Sequence, residues 1–261
     1  MLTTLAICFG IQAVFFVAAV SLKTDKVTDL SYGLTFIAVA VALYAQRGVA
    51  SPAAIALTLM VVVWAVRLSA YLFRRILHMQ RDARFDGVRE HFWPFFKFWF
   101  FQGLAVWLIM LPVTVWFRAP AAWTVWMTIG AVVWAIGLVI EAVADQQKFA
   151  HRRQSGAKWT DVGLWKYSRH PNYFGELLCW WGVFIAAAGA MQGVDVLIAL
   201  VGPLSITGVL LFLTGIPPLE ASAERKWGAD PAYQHYKAVT PVLFGVRALF
   251  HRHAQMGDRA T

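Results

Sequence analysis

The chain is short of charge. Of its 261 residues only 14% are Asp, Glu, Lys or Arg, against about 25% in an ordinary soluble domain. That shortage excludes a disordered chain, which needs low hydrophobicity and high net charge. It also excludes a soluble single core, because 59% of the residues are hydrophobic and a soluble fold of this size has too little interior to hide them. Cysteine is scarce as well. Cys8 and Cys179 are the only two, each inside an apolar run, so they read as small buried hydrophobes without a disulfide framework or a zinc site. Neither a GxGxxG fingerprint nor a P-loop occurs, which excludes a soluble Rossmann-type cofactor domain. No internal repeat or low-complexity segment interrupts the chain. Residues 1–22 lack the basic start and small-residue cleavage site of a signal peptide, so they are expected to form a first transmembrane helix.

Long apolar runs are what the chain has in quantity. A helix needs about 20 mainly apolar residues to cross the hydrocarbon layer. Seven stretches qualify: 3–22, 28–46, 52–73, 97–117, 121–143, 173–190 and 195–215. The last two are parted only by residues 188–195, expected to form a tight outer turn. The fold class expected is all-α, a polytopic integral membrane protein of about seven transmembrane helices. The formal net charge of +9 then reads as basic cytoplasmic loops and not as a nucleic-acid surface. With the N-terminus outside, the inner segments 23–27, 74–97, 144–172 and 216–261 hold 20 of the 23 Lys and Arg residues. The outer loops hold Arg47 and Arg118, and Arg67 lies within the third span. The bias predicts an N-out, C-in topology.

Charged groups inside a span are costly and are functional candidates. Arg67, Tyr71, Arg74 and Arg75 share one helix face at i, i+4, i+7, i+8 spacing. The same spacing fits snorkelling anchors with an interfacial tyrosine. Glu141 and Asp145 are one turn apart at the inner end of the fifth span, and Arg152 follows two turns later. That pattern fits a salt-bridged helix end, or acidic groups that fix ribose hydroxyls.

The segment from Val162 to Gly182 is the richest in chemistry. Pro171 suits the first turn of a helix, and Ser168 is expected to cap it. Asn172, Glu176 and Trp180 then stack on one face, and Gly175 admits another backbone or a ligand. Lys166, Arg169 and His170 sit at the helix N-terminus, where backbone N–H groups add positive potential. Together they suit a phosphate-bearing ligand at the membrane surface. Further on, Pro217 and Pro218 are expected to disturb the end of the last span. Glu220, Glu224 and Arg225 follow on a short amphipathic helix, and Tyr233 and Tyr236 are spaced to share a face. This stretch fits an interfacial helix with aromatic anchors, or a lid over the same ligand. The tail His251-Arg252-His253 suits headgroup contact more than a metal.

Several of these stretches resemble one family. Ser168-Arg-His-Pro-Asn-Tyr-Phe-Gly-Glu176, Trp180-Trp-Gly182, and Gly215-Ile-Pro217 through Glu220 with Tyr233 and Tyr236 resemble the steroid 5-alpha-reductase C-terminal domain superfamily. The likeness is closest to a bacterial branch described as a domain of unknown function, which also shares Arg67 through Arg75 and Asp82-Ala-Arg84-Phe85. The resemblance implies a membrane reductase that binds NADPH from the cytosol. Residues 1–96 would form a three-helix substrate part, and 97–261 a reductase-like part with cytoplasmic cofactor loops. Asn172, Glu176, Asp145 and Arg152 match the family's cofactor contacts. Tyr167, Arg169, His170, Tyr173, Glu220, Glu224, Arg225, Tyr233 and Tyr236 join them as cofactor-binding candidates, and Lys158 joins the basic residues expected to hold phosphates. Tyr71 matches the family tyrosine that polarises a substrate carbonyl. The family's Gln-Glu pair on the second span is missing here; Asp29 at its inner mouth stands as the alternative polar partner, beside Tyr32 and Tyr44. The expected activity is hydride transfer from NADPH to an activated C=C bond of a hydrophobic, lipid-like or steroid-like substrate, in a multi-pass bacterial inner-membrane protein. The superfamily also includes isoprenylcysteine carboxyl methyltransferases, which use S-adenosylmethionine; that alternative is disfavoured by Glu176, where they usually carry a large apolar residue.

Overall fold

In lipid every backbone polar group must find its partner within the chain, and a helix meets that demand segment by segment. The apolar runs fold accordingly. A computed structural model describes residues 1–22, 24, 27–48, 50–79, 87–88, 90–153 and 158–245. The Asp82–Phe85 match and the His251–His253 tail lie outside them. The helices are α1 (Leu2–Ser21), α2 (Thr28–Arg47), α3 (Pro52–Met79), α4 (Phe92–Ile109), α5 (Leu111–Trp116), α6 (Val125–Arg152), α7 (Pro171–Ala188), α8 (Val194–Gly208), α9 (Ile216–Trp227) and α10 (Pro231–Val239). A 3-10 turn (Gly163–Lys166) precedes α7 and a π turn (Val209–Leu213) follows α8. Among the described residues six helical stretches are long and apolar enough to cross a membrane. The protein is therefore an all-α polytopic membrane protein. α7, counted as a crossing in the sequence, is helical over 18 residues but is not one of those six.

Local chemistry sets the helix limits. Pro52 opens α3, and the Ser51 hydroxyl accepts the Ala54 N–H at 3.1 Å, satisfying one of the first-turn donors. The expected single span 97–117 is two helices, because Pro112 cannot donate into the preceding turn and α5 starts afresh at Leu111. α6 overshoots the expected 121–143 and runs 28 residues, about 42 Å at 1.5 Å per residue. A hydrocarbon layer is about 30 Å thick, so α6 carries two or more turns beyond it. The last span is interrupted just ahead of Pro217 and Pro218, at Thr214 and Gly215. The helix has already loosened into the π turn, and the prolines occupy the first turn of α9, where a missing N–H costs nothing.

The described residues divide into two compact units: those within 1–135 with 179–206, and those within 136–178 with 207–245. In the first, α1, α2 and α4 share a buried polar network. Gln102 Nε2 donates to Gln12 Oε1 and Ser31 Oγ, both at 2.9 Å. Gln12 Nε2 donates to Thr35 Oγ1 at 2.9 Å, and Gln12 is 2% exposed. Interhelical bonds of this kind are worth about 0.6 kcal/mol on average in a bilayer; their directionality also fixes helix register. Nearby, Phe36, Trp64 and Trp180 form a buried aromatic trio with centroids 5.0–5.1 Å apart. On α2 and α3, Arg75 Nη2 donates to Asp29 Oδ2 at 3.1 Å. At the other end of the unit, Arg118 pairs with Asp195 at 3.2 Å, and Arg47 donates to the Arg118 carbonyl at 2.9 Å. In the second unit, Ile216, Val242 and Leu243 make a small core with Tyr173, Phe174, Leu177 and Leu211.

Candidate functional site

The second unit holds a cleft built from four pieces: the last turns of α6, the segment 158–170, α9 and α10. α6 supplies Lys148 and Arg152 one turn apart. Its Ala144 carbonyl accepts the Trp165 indole N–H at 2.9 Å, and Gln147 Oε1 accepts the Leu164 N–H at 2.9 Å. Gly163 turns the chain there with φ +55° and lies against Gln147, where a Cβ would come within 2.3–2.5 Å of that side chain. Only a residue without a Cβ fits such a place without strain. Lys148 lies 4.6 Å from the centre of the Trp165 ring, a cation–π distance.

Ser168 does not cap α7 as expected. It sits two residues before the cap position, His170: its hydroxyl accepts the His170 N–H at 3.2 Å and donates to the Val242 carbonyl at 3.1 Å. The backbone continues the seam, with Arg169 N–H donating to Pro241 O at 2.9 Å and His170 N–H to Val242 O at 3.1 Å. This seam points Arg169 and His170 at α9. There Glu220 meets both: Oε1 lies 2.7 Å from His170 Nε2, and Oε2 lies 2.9 Å from Arg169 Nη1. Tyr173 stacks on the imidazole at 5.7 Å, nearly parallel.

Burial, helped by the Lys148 and Arg169 charges, pulls His170 below the usual histidine value despite Glu220. Burial raises Glu220, but the His170 hydrogen bond and the charges of Arg169 and Lys237 outweigh it and hold the carboxyl below its usual range. A carboxylate can only accept, so His170 Nε2 carries the proton and Nδ1 does not. Nδ1 is buried and meets no hydrogen-bond donor.

The α9–α10 hairpin forms the opposite wall. Glu224 holds it together, accepting from Lys237 at 2.7 Å and Gln234 at 3.1 Å. Asp230 caps α10 through the Ala232 N–H at 3.0 Å and also pairs with Lys158. Tyr236 donates to the Trp165 carbonyl at 2.8 Å. Trp159, Trp227, Tyr233 and Tyr236 pack ring against ring, with centroids 5.3–6.5 Å apart. Burial pushes Tyr233 up to about 12 and Tyr236 higher still, so both phenols remain donors.

Seven of the sequence candidates line the cleft: Arg152, Lys158, Arg169, His170, Glu220, Tyr233 and Tyr236. The sequence reading missed Lys148, Trp159, Trp165, Lys226 and Trp227, which line it too. The cleft is open to solvent. Other candidates lie elsewhere. Glu224 is spent within the hairpin, and Arg225 and Tyr167 are exposed outside the lining. Asp145, Asn172, Tyr173 and Glu176 belong to the same unit but not to the cleft wall; Asp145 and Glu176 are 3% and 7% exposed. Gly175 explains part of this. A Cβ there would come within 2.6 Å of Glu141 N and Gly137 O, so the gap that the sequence offered to a ligand is filled by α6. Tyr71 and Asp29 lie in the first unit on α3 and α2. Tyr71 is half-buried, and Asp29 is held by Arg75.

The arrangement has a clear chemical bias. Among the described residues five cationic side chains (Lys148, Arg152, Lys158, Arg169 and Lys226) line the cleft against one carboxylate, Glu220, and an aromatic wall stands beside them. Such a site favours an anion carrying a planar ring. The family described as protein of unknown function, DUF1295, matches residues 15–240. No curated protein and no solved structure matches the chain.

Proposed function

The chain belongs to DUF1295, a family of proteins of unknown function, and from the chemistry of its cleft we propose that it is a membrane reductase that binds NADPH there and reduces an activated C=C bond of a hydrophobic substrate. One observation carries the reading: five cations and a single carboxylate beside a wall of Trp and Tyr rings. A dinucleotide phosphate brings several negative charges and a purine, and both find their complement. Arg169 also fits, because its Nε and Nη1 protons are buried without a hydrogen-bond acceptor. Leaving such donors unmet costs about 1–3 kcal/mol each, and phosphate oxygens are the acceptors that Arg suits best. S-adenosylmethionine carries a sulfonium and no phosphate, so the same cations oppose it.

Within this reading the cofactor supplies the hydride when bound. The chain's own residues bind and orient it. Arg152, Lys148 and Lys226 attract the phosphates, and Tyr233, held protonated, offers an O–H group, while Tyr236 spends its own on the Trp165 carbonyl. On the substrate side the assignment to Tyr71 is kept: a phenol that donates to the substrate carbonyl as charge develops. Asp29 is less suited to such a role, because Arg75 occupies its carboxylate.

The test is a thermal-shift titration of the detergent-purified protein with NADPH, NADH and S-adenosylmethionine. A ligand that binds only the folded chain stabilises it by about 2.7 kcal/mol at a hundredfold excess over its dissociation constant. NADPH is expected to raise Tm, NADH less, and S-adenosylmethionine not at all. Stabilisation by S-adenosylmethionine in place of NADPH would overturn the reading. Tyr71→Phe is expected to keep the NADPH response and lose turnover of an enone lipid; loss of the response would make Tyr71 a structural residue.

A further inference from the structure

We propose that Glu220 is a positioning residue, which touches no ligand itself but holds Arg169 in place to present its guanidinium to a phosphate group in the cleft. The inference rests on the nucleotide reading of that cleft and assigns a division of labour within it. Among the described residues Glu220 is the one carboxylate that lines the cleft, and as such would repel a phosphate that came near it. Its Oε1 accepts from His170 at 2.7 Å, and its Oε2 is ion-paired with Arg169 at 2.9 Å.

The geometry around Arg169 is asymmetric. Nη1 lies close to Glu220 Oε2, but not along an N–H direction that makes a hydrogen bond, so Nε and Nη1 remain donors without acceptors. The carboxylate therefore balances the charge of the guanidinium without consuming those protons. The Arg169 side chain is 11% exposed. Without an adjacent anion, its desolvation would go uncompensated. Glu220 makes that burial tolerable, and burial in turn restricts the side chain to one pose. The seam between 168–170 and 241–242 fixes the backbone of Arg169, and α9 fixes Glu220. A phosphate arriving at Arg169 thus meets a pre-oriented fork, so little side-chain ordering is left for binding to impose.

A double-mutant cycle on NADPH affinity separates positioning from contact. Dissociation constants are measured on the full chain in detergent for wild type, Arg169→Ala, Glu220→Gln and the double variant. The expected result is at least a tenfold loss from Glu220→Gln alone, and no further loss, within twofold, when it is added to Arg169→Ala. Losses that multiply would show that Glu220 contacts the ligand independently, and overturn the proposal. So would a Glu220→Gln variant that binds as wild type does. Glu220→Asp, which keeps the charge and shortens the reach, serves where Gln prevents folding; it is expected to lose less and to show the same non-additivity. A wild-type protein that does not bind NADPH at all defeats the parent reading, whereas the variants bear on Glu220 alone.

Discussion

His170 carries a pH dependence whose sign follows from its surroundings. The groups facing it are Glu220 from α9, Arg169 beside it and Lys148 from α6, with Lys237 acting on Glu220. Its folded value lies below 6.5 chiefly because it is buried. An unfolded chain therefore takes up a proton near pH 6.5 that the folded chain refuses, and acid favours unfolding. Stability is fully present above 6.5 and falls as pH drops from there toward the folded value, where the loss levels off. Glu220, held below its usual range, adds a loss of the same sign at lower pH. Tm is expected to be lower at pH 5.5 than at 7.5, and His170→Gln to flatten that difference. A pH-independent Tm for wild type would contradict a neutral, buried His170. At this scale the sequence was half legible. Arg225 was chosen and Lys226 overlooked, although Leu219, Ser222, Ala223, Lys226 and Trp227 recur at i, i+3, i+4, i+7, i+8 and all line the cleft. That helical face was readable. Trp159 was not: its role depends on rings brought from α9 and α10, which no local spacing announces.

Among the elements, α6 and α7 approach backbone to backbone. In the first unit a Cβ on Gly130 would meet Ala186 N and Gly182 O at 2.4 Å; in the second, one on Gly175 would meet Gly137 O and Glu141 N at 2.6 Å. Backbone atoms cannot rotate away as a side chain can, so even a methyl group must part the helices. Gly175→Ala is expected to cost about 1–3 kcal/mol, the range for overpacked sites, and to weaken NADPH binding, because α6 carries Lys148 and Arg152. A fall in Tm checks the first, and the dissociation constant the second. A Gly175→Ala protein as stable as wild type would mean that the helices separate without cost. The apolar runs announced most helices, because length and hydropathy decide them in lipid. Two departures had local causes. Pro112 broke a run that hydropathy read as continuous, and α6 went on past its apolar part through Lys148 and Arg152 because helix propensity, not hydropathy, governs the aqueous turns.

For the molecule as a whole, the side of the membrane that the cleft faces decides whether the proposed cofactor can reach it. Twenty of 23 basic residues lie in the four segments expected inside, which argues for a cytoplasmic cleft. The native cysteines, Cys8 and Cys179, are 0% and 1% exposed and should not react. Val194→Cys is therefore expected to label with an impermeant maleimide in intact cells, and Ala229→Cys only after permeabilisation. The inverted pattern would place the cleft outside, away from NADPH, and end the reductase reading.

The seam between Ser168–His170 and Pro241–Val242 has a consequence for how the molecule comes into being. Ser168 and Val242 are 74 residues apart, and Glu220 lies between them. A ribosome adding roughly 5–20 residues per second delivers Arg169 and His170 some 4–15 s before the segment that will pin them. During that interval the helices already made can enter the bilayer while the cleft has no second wall. The site is thus completed by almost the last stretch of described chain to be synthesised. The wall that Arg169 and His170 face is thus timed by translation, not by their own synthesis.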